Sequence, residues 1–164
     1  MKCCRFDFFH ERLKVGVWGY GKRVYAVSLS KSAALKMEKK LASFFDVIEK
    51  GAPDDRIAVA FANYFSNGIF EPALEPVFLW GTDFQKAVWR QLSSLGRGES
   101  TTYGNIAKQI GSGSAARAVG NAVGANPIPI LVPCHRVFAA NGIGGFSYGI
   151  DTKLELLRIE NITR

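Results

Sequence analysis

The stretch VPCHRV, residues 132–137, sets a cysteine between a proline and a histidine, with an arginine next. A thiol in such a place can pack in a core, bind a metal or act as a nucleophile. A nucleophilic thiol needs a base to take its proton, and His135 adjoins Cys134. Neighbours in sequence need not face each other, so the pair only suggests this chemistry. A catalytic histidine usually needs a third group to orient it. Glu160, in the C-terminal segment KLELLRIEN, could be that group or could lie on a solvated helix face. An activated Cys134 could cleave an amide or ester, or displace a leaving group from an alkyl carbon. Residue type does not choose between these.

The 164-residue chain suits one globular domain or two small ones. Its 48% hydrophobic content and 12 phenylalanines supply a core and exclude a disordered chain. The apolar runs fall far short of the ~20 residues that cross a bilayer. The start, MKCCRFDFFHERLK, has no apolar run of the secretory kind, so the expected setting is the cytoplasm, with no membrane partner. Three cysteines, Cys3, Cys4 and Cys134, do not make a disulfide framework. The net charge is +7. Between Phe84 and Arg136 stand Lys86, Arg90, Arg97, Lys108, Arg117 and Arg136, against the single acid Glu99. Such a surface suits a polyanion such as nucleic acid, although ordinary solvated lysines and arginines account for it equally.

Several elements must position these residues. Alternation over Arg12–Ser30 around a Gly-Tyr-Gly turn predicts a β-hairpin. Leu41, Phe44, Phe45 and Ile48 predict a helix over about Ala33–Lys50, and Ile57, Phe61, Tyr64 and Phe65 one over about Asp54–Asn67. FEPALEPVFLWG, with two prolines, reads as an extended linker. The expected domains are 1–72, small and α/β, and 82–164, mostly α, joined by a linker at 73–81. Thr82 and Gln85 have capping-box spacing before a helix carrying Phe84, Val88, Trp89 and Leu92. A second helix near Tyr103–Ile110, and a third over AARAVGNAVG that Ser114 could cap, form a helix-turn-helix candidate. The third is nearly all small residues, with Arg117 projecting. That suits tight packing against another helix, or entry into a narrow groove. Pro127, Pro129 and Pro133 stiffen the approach to Cys134.

The ordered blocks GTDFQKAVW, TTYGNIA, AARAVGNAVGANPIPILVPCHRV and GIGGFSYG resemble those of the O6-alkylguanine-DNA alkyltransferase (methylated-DNA–protein-cysteine methyltransferase) family. The resemblance covers about half of the chain, from Thr82 to Glu160. It implies a ribonuclease-H-like α/β domain before a helix-turn-helix domain, working on double-stranded DNA that contains O6-alkylguanine. It implies that Cys134 accepts the alkyl group, that His135 activates it through a water and that Glu160 orients His135. By the same resemblance Asn126 braces the active-site turn and Tyr103 donates to the guanine ring. Arg117 fills the gap left by a flipped base, and the backbone around Val137, with Phe146 and Ser147, contacts the extruded guanine. Ala116 and Arg136 complete the expected DNA contacts. The implied protein is a monomeric, self-inactivating methyltransferase that binds the minor groove and needs no cofactor.

Two departures accompany the likeness. Phe146 stands where some relatives carry tyrosine. Some relatives bind zinc in the first domain, where this chain offers only Cys3, Cys4 and His10 in no recognised pattern, so no metal is expected and the two cysteines read as part of a loose terminus. A family branch that only binds lesions lacks the acceptor cysteine, and Cys134 argues against it. Two other readings remain open to test: a helix-turn-helix DNA-binding module whose Cys134 is a core thiol, and a Cys-His hydrolase.

Overall fold

The computed structural model describes residues 1–163, and the chain divides into two compact units. The first is Met1–Val77, to which Pro127–Pro129 also belong. Its strands β1 (Cys4–His10), β2 (Leu13–Tyr20) and β3 (Arg23–Ser28) pair in sequence as an antiparallel meander. The expected hairpin is β2–β3, and Gly21, at φ 60°, provides its left-handed turn. Helix α1 (Lys31–Leu41) packs near β3. Strand β4 (Glu49–Lys50) joins β1 in parallel, helix α2 (Arg56–Asn67) lies by β1, and β5 (Glu75–Pro76) joins β3 in parallel. The five-stranded mixed sheet runs β4-β1-β2-β3-β5.

The helix expected over Ala33–Lys50 is shorter and starts earlier. Ser30 caps it by accepting from the Ala33 amide, and the coil tightens after Leu41. The chain must then extend, because Glu49 donates to the Cys3 carbonyl and Gly51 to that of Arg5. Sheet pairing therefore overrides the apolar spacing, and Phe44 is left exposed. Cys3 and Cys4 are not on a loose terminus. Cys4 opens β1, and Cys3 is buried, which pushes its thiol up to about 12. Helix α2 starts at Asp55, which caps Ile57, and buries Ile57, Phe61 and Tyr64 as its stripe demands.

The second unit runs from Phe78 to Asn126 and again from residue 130. Helix α3 (Asp83–Ser93) opens with the full capping box: Gln85 N–H donates to Thr82 Oγ1, and Thr82 N–H to Gln85 Oε1. Its Trp89 indole donates to the Ala122 carbonyl at 2.8 Å. Strand β6 (Thr101–Thr102) leads into α4 (Tyr103–Gln109), which is followed by α5 (Ala116–Gly124). Ser114 does not cap α5; Ala115 holds that position with no side-chain bond. A single 3-10 turn, Cys134–Arg136, runs into β7 (Val137–Phe138), which pairs in parallel with β6. Helix α6 (Ile150–Ile159) closes the unit. Among the described residues no helix is long and apolar enough to cross a membrane.

Thr82→Ala removes one half of the capping box and should cost about 1 kcal/mol. Urea unfolding followed at the α3 tryptophan should show the midpoint fall, and an unchanged midpoint would deny the cap its role.

Candidate active site

The β6–β7 pairing sets Thr101 opposite Val137 and Thr102 opposite Phe138. It thereby brings the start of α4, with Tyr103, beside the turn that carries Cys134. That turn is braced from within: Cys134 N–H donates to the Val132 carbonyl, and Arg136 N–H to that of Pro133. The Asn126 amide donates to the Val132 carbonyl at 2.8 Å, and its side chain also hydrogen-bonds Cys134. Ile130, buried just before the turn, holds φ at 74°, a left-handed conformation costly for a β-branched residue.

Cys134 lies in the wall of a mostly apolar cavity of about 270 Å³. Tyr103, Val123, Asn126, Phe146, Ser147 and Tyr148 line it as well, and Gly120 and Gly124 expose backbone to it. Ser147 Oγ donates to the Gly124 carbonyl at 2.9 Å, which ties the loop to α5. Burial pushes the Cys134 thiol up to about 11. The Asn126 hydrogen bond and the Lys153 charge pull against that rise without cancelling it.

Behind the thiol lies a charged cluster. His135 is fully buried, and its Nε2 meets Glu160 Oε1 at 2.8 Å. Arg136 Nε donates to Glu160 Oε2 at 2.7 Å. Burial alone would raise the Glu160 carboxyl, but hydrogen bonds and charge from His135 and Arg136 overcome it and hold the group at about 2. A carboxylate only accepts, so the Nε2 proton sits between the two groups and belongs to His135. That leaves Nδ1 as the imidazole's other face, and it has no hydrogen-bond partner among the described residues.

The expected residues thus fall into three groups. Cys134, Asn126, Tyr103, Phe146 and Ser147 meet at the cavity, with His135 and Glu160 adjoining through the Cys134 turn. Ala116 and Arg117 lie exposed at the start of α5 and do not line the cavity. Arg136 and Val137 are buried elsewhere. The Arg136 guanidinium, expected at DNA, is spent on Glu160 and the Gly96 carbonyl, because a cation this deep is stable only when paired. The Val137 carbonyl accepts from Lys153 Nζ at 2.6 Å. Lys153, fully buried on α6, and the cavity-lining Tyr148 escaped the sequence reading. Lys153, Leu156, Leu157 and Glu160 follow helical spacing, so a lysine on an apolar stripe was the available signal.

The chain is similar to known proteins. Residues 83–162 match the family profile described as 6-O-methylguanine DNA methyltransferase, DNA binding domain. The methylated-DNA–protein-cysteine methyltransferase of Methanosarcina mazei is 43% identical over 129 residues, which cover 77% of this chain and 80% of that protein. Other curated relatives match over 81 to 98 residues at 48 to 54% identity, and there the chain spans only 52 to 61% of their lengths. The crystal structure of the Mycobacterium tuberculosis O6-methylguanine methyltransferase superposes with a TM-score of 0.78 at 33% identity, covering 97% of this chain and 92% of that one. The M. tuberculosis OGT solved in complex with DNA gives a TM-score of 0.72 at 32% identity, covering 98% and 92%. The mixed sheet and helices described above are therefore a known fold.

The Glu160 cluster also fixes a pH dependence. Its folded pKa, about 2, lies below the ordinary 4.5, so the stabilisation is complete above pH 4.5 and drains away as pH falls toward 2. The part at stake is of order 3 kcal/mol. Urea midpoints measured from pH 5 to 2 should fall steeply, and Glu160→Gln should flatten that slope. The variant should also lower stability at pH 7 by about 3 kcal/mol or more, since it strands Arg136. Parallel profiles for the two proteins would disprove the assignment.

Proposed function

The chain belongs to the methylated-DNA–protein-cysteine methyltransferase family, and on that premise we propose that it repairs O6-alkylguanine in double-stranded DNA by moving the alkyl group onto Cys134. The observation that carries the reading is a buried thiol in an apolar cavity, next in sequence to a histidine whose Nε2 is held by Glu160 and whose Nδ1 has no hydrogen-bond partner among the described residues.

The thiol is protonated at neutral pH, and ionising it unaided from about 11 would cost about 5 kcal/mol at pH 7. A base acting in the step removes most of that barrier. In this reading a water carries the Cys134 proton to His135 Nδ1, while Glu160 stabilises the resulting imidazolium. Sulfur then attacks the alkyl carbon in line. The new S–C bond forms as the C–O6 bond breaks, and guanine leaves with the electron pair. Tyr103 donates its hydroxyl to the ring as that charge develops. Asn126 holds the turn, and Phe146 and Ser147 flank the extruded base. The steps balance without an added oxidant, reductant or metal. A thioether has no easy leaving group, so each molecule reacts once.

The base must leave the duplex to enter the cavity. We assign this to helices α4 and α5 acting as a helix-turn-helix in the minor groove, where the small residues of α5, Ala116 among them, allow close approach. Arg117, exposed at the start of α5, fills the gap in the stack. Lys86, Arg90, Arg97 and Lys108 supply charge for sequence-independent phosphate contact. Arg136 acts from inside, positioning Glu160. The first unit forms the ribonuclease-H-like domain of the family and 82–164 the reactive domain; the linker expected at 73–81 is shortened, because Glu75 and Pro76 pair with β3 in the sheet. The protein works as a monomer in the cytoplasm.

The test is mass analysis after mixing with a duplex holding one O6-methylguanine. The peptide with Cys134 should gain one methyl per molecule and then stop. Cys134→Ala should bind the duplex and gain nothing, and His135→Ala should slow transfer by about 100-fold or more. Binding without any methyl gain would leave a lesion-binding module, and repeated turnover on esters would point to a hydrolase.

A further inference from the structure

Lys153 is fully buried, an uncommon state for a lysine, and none of the steps above uses it. Its ammonium donates to the carbonyls of Val137 and Ile143 at 2.6 Å each and to that of Gly145 at 3.4 Å. It also lies 5.0 Å from the centre of the Phe138 ring. These acceptors lie on either side of the loop that runs from β7 to the cavity residues Phe146 and Ser147. One cation therefore gathers the loop's carbonyls. Gly145 is the informative member, because its carbonyl also accepts from the Tyr103 hydroxyl at 3.4 Å. A carbonyl oxygen has two lone pairs, so both donors fit. The loop also presses on Tyr103: a Cβ added at Gly144, where φ is 74°, would sit 3.2 Å from the ring and 3.3 Å from its hydroxyl.

Resting on the function proposed above, we infer that Lys153 is a positioning residue that lets Tyr103 release Gly145 and give its hydroxyl to the departing base. The hydroxyl has one proton. Spent on Gly145, it is unavailable to a leaving guanine. Gly145 is exposed and lines the cavity, so a base that fills the cavity would keep water from its carbonyl just as the phenol turns away, and the carbonyl would then be left without a donor. Lys153 remains on that carbonyl, so the switch leaves no orphan. The same clamp keeps the loop in place while the phenol moves.

A double-mutant cycle on the full chain tests this, using Lys153→Met, Tyr103→Phe and both together. The readout is the single-turnover rate of methyl transfer from an O6-methylguanine duplex at saturating protein. Rates are expressed per active molecule, counted by titration, so that loss of folded protein does not enter. Lys153→Met should slow transfer by about tenfold or more while lesion affinity stays within about twofold. In the Tyr103→Phe background the same change should cost less than about threefold. If Lys153→Met does not fold, Lys153→Arg serves: it keeps the charge, but its planar fork does not match three converging carbonyls, and the same pattern is expected. Equal losses in both backgrounds would overturn the inference. So would a full rate for the variant, or equal losses with a shifted pH midpoint, which would place Lys153 at the thiol instead. A wild-type protein that gains no methyl would sink the proposed function itself, and the inference with it.

Discussion

A buried carboxylate with two claims on it organises this protein's reactive half. Glu160 gives one oxygen to His135 and the other to Arg136. Neither cation nor anion would be stable at that depth alone. Much of the surrounding architecture serves the arrangement. Glu160 caps the end of α6, and like Leu156 and Leu157 of that helix it is buried. The 3-10 turn presents His135 and Arg136 side by side, and the Gly96 carbonyl takes a further guanidinium proton. The imidazole is thereby held in one orientation, with Nε2 toward Glu160 and Nδ1 without a hydrogen-bond partner among the described residues.

The thiol faces an opposite demand. The cavity that shelters it from bulk water also favours its neutral form. Asn126 and Lys153 relieve part of that penalty without ending it. In the function proposed above, such a thiol stays neutral until a base acts on it in place. An exposed, acidic cysteine would react faster with every passing electrophile. On that proposal, seclusion lowers intrinsic speed and gives selectivity in return, which suits a group that reacts once.

The sequence revealed its local grammar best. The Thr82–Gln85 spacing, the β2–β3 alternation and the stripe of α2 each rest on neighbours within a few residues, and each formed as read. Failures arose where distant partners decide. The spacing of Leu41, Phe44, Phe45 and Ile48 resembled a helix, yet β1 drew Glu49 and Lys50 into the sheet. Cys3 looked terminal and free, but strand pairing buried it. The site shows the same division. Cys134 and His135 announced themselves by adjacency, whereas Arg136 was counted with the surface cations until Glu160 claimed it. Of the six basic residues between Phe84 and Arg136 it alone is buried. Lys153 was legible only as a charge on an apolar stripe, and such a position does not name the carbonyls that make burial tolerable.

Ile130 bears on how the reactive turn comes into being. Its backbone occupies a region that isoleucine avoids when unconstrained. The segment around it therefore cannot adopt its final shape from local preference. Only the closed interior, where Ile130 is 1% exposed, holds it there. The conformation of the turn that carries Cys134 is thus tied to the packed core around Ile130. Where that packing is lost, Cys134 loses the burial that raises its thiol. Under the proposed function, the shape of the site would thus depend on the core as much as on the residues that line it.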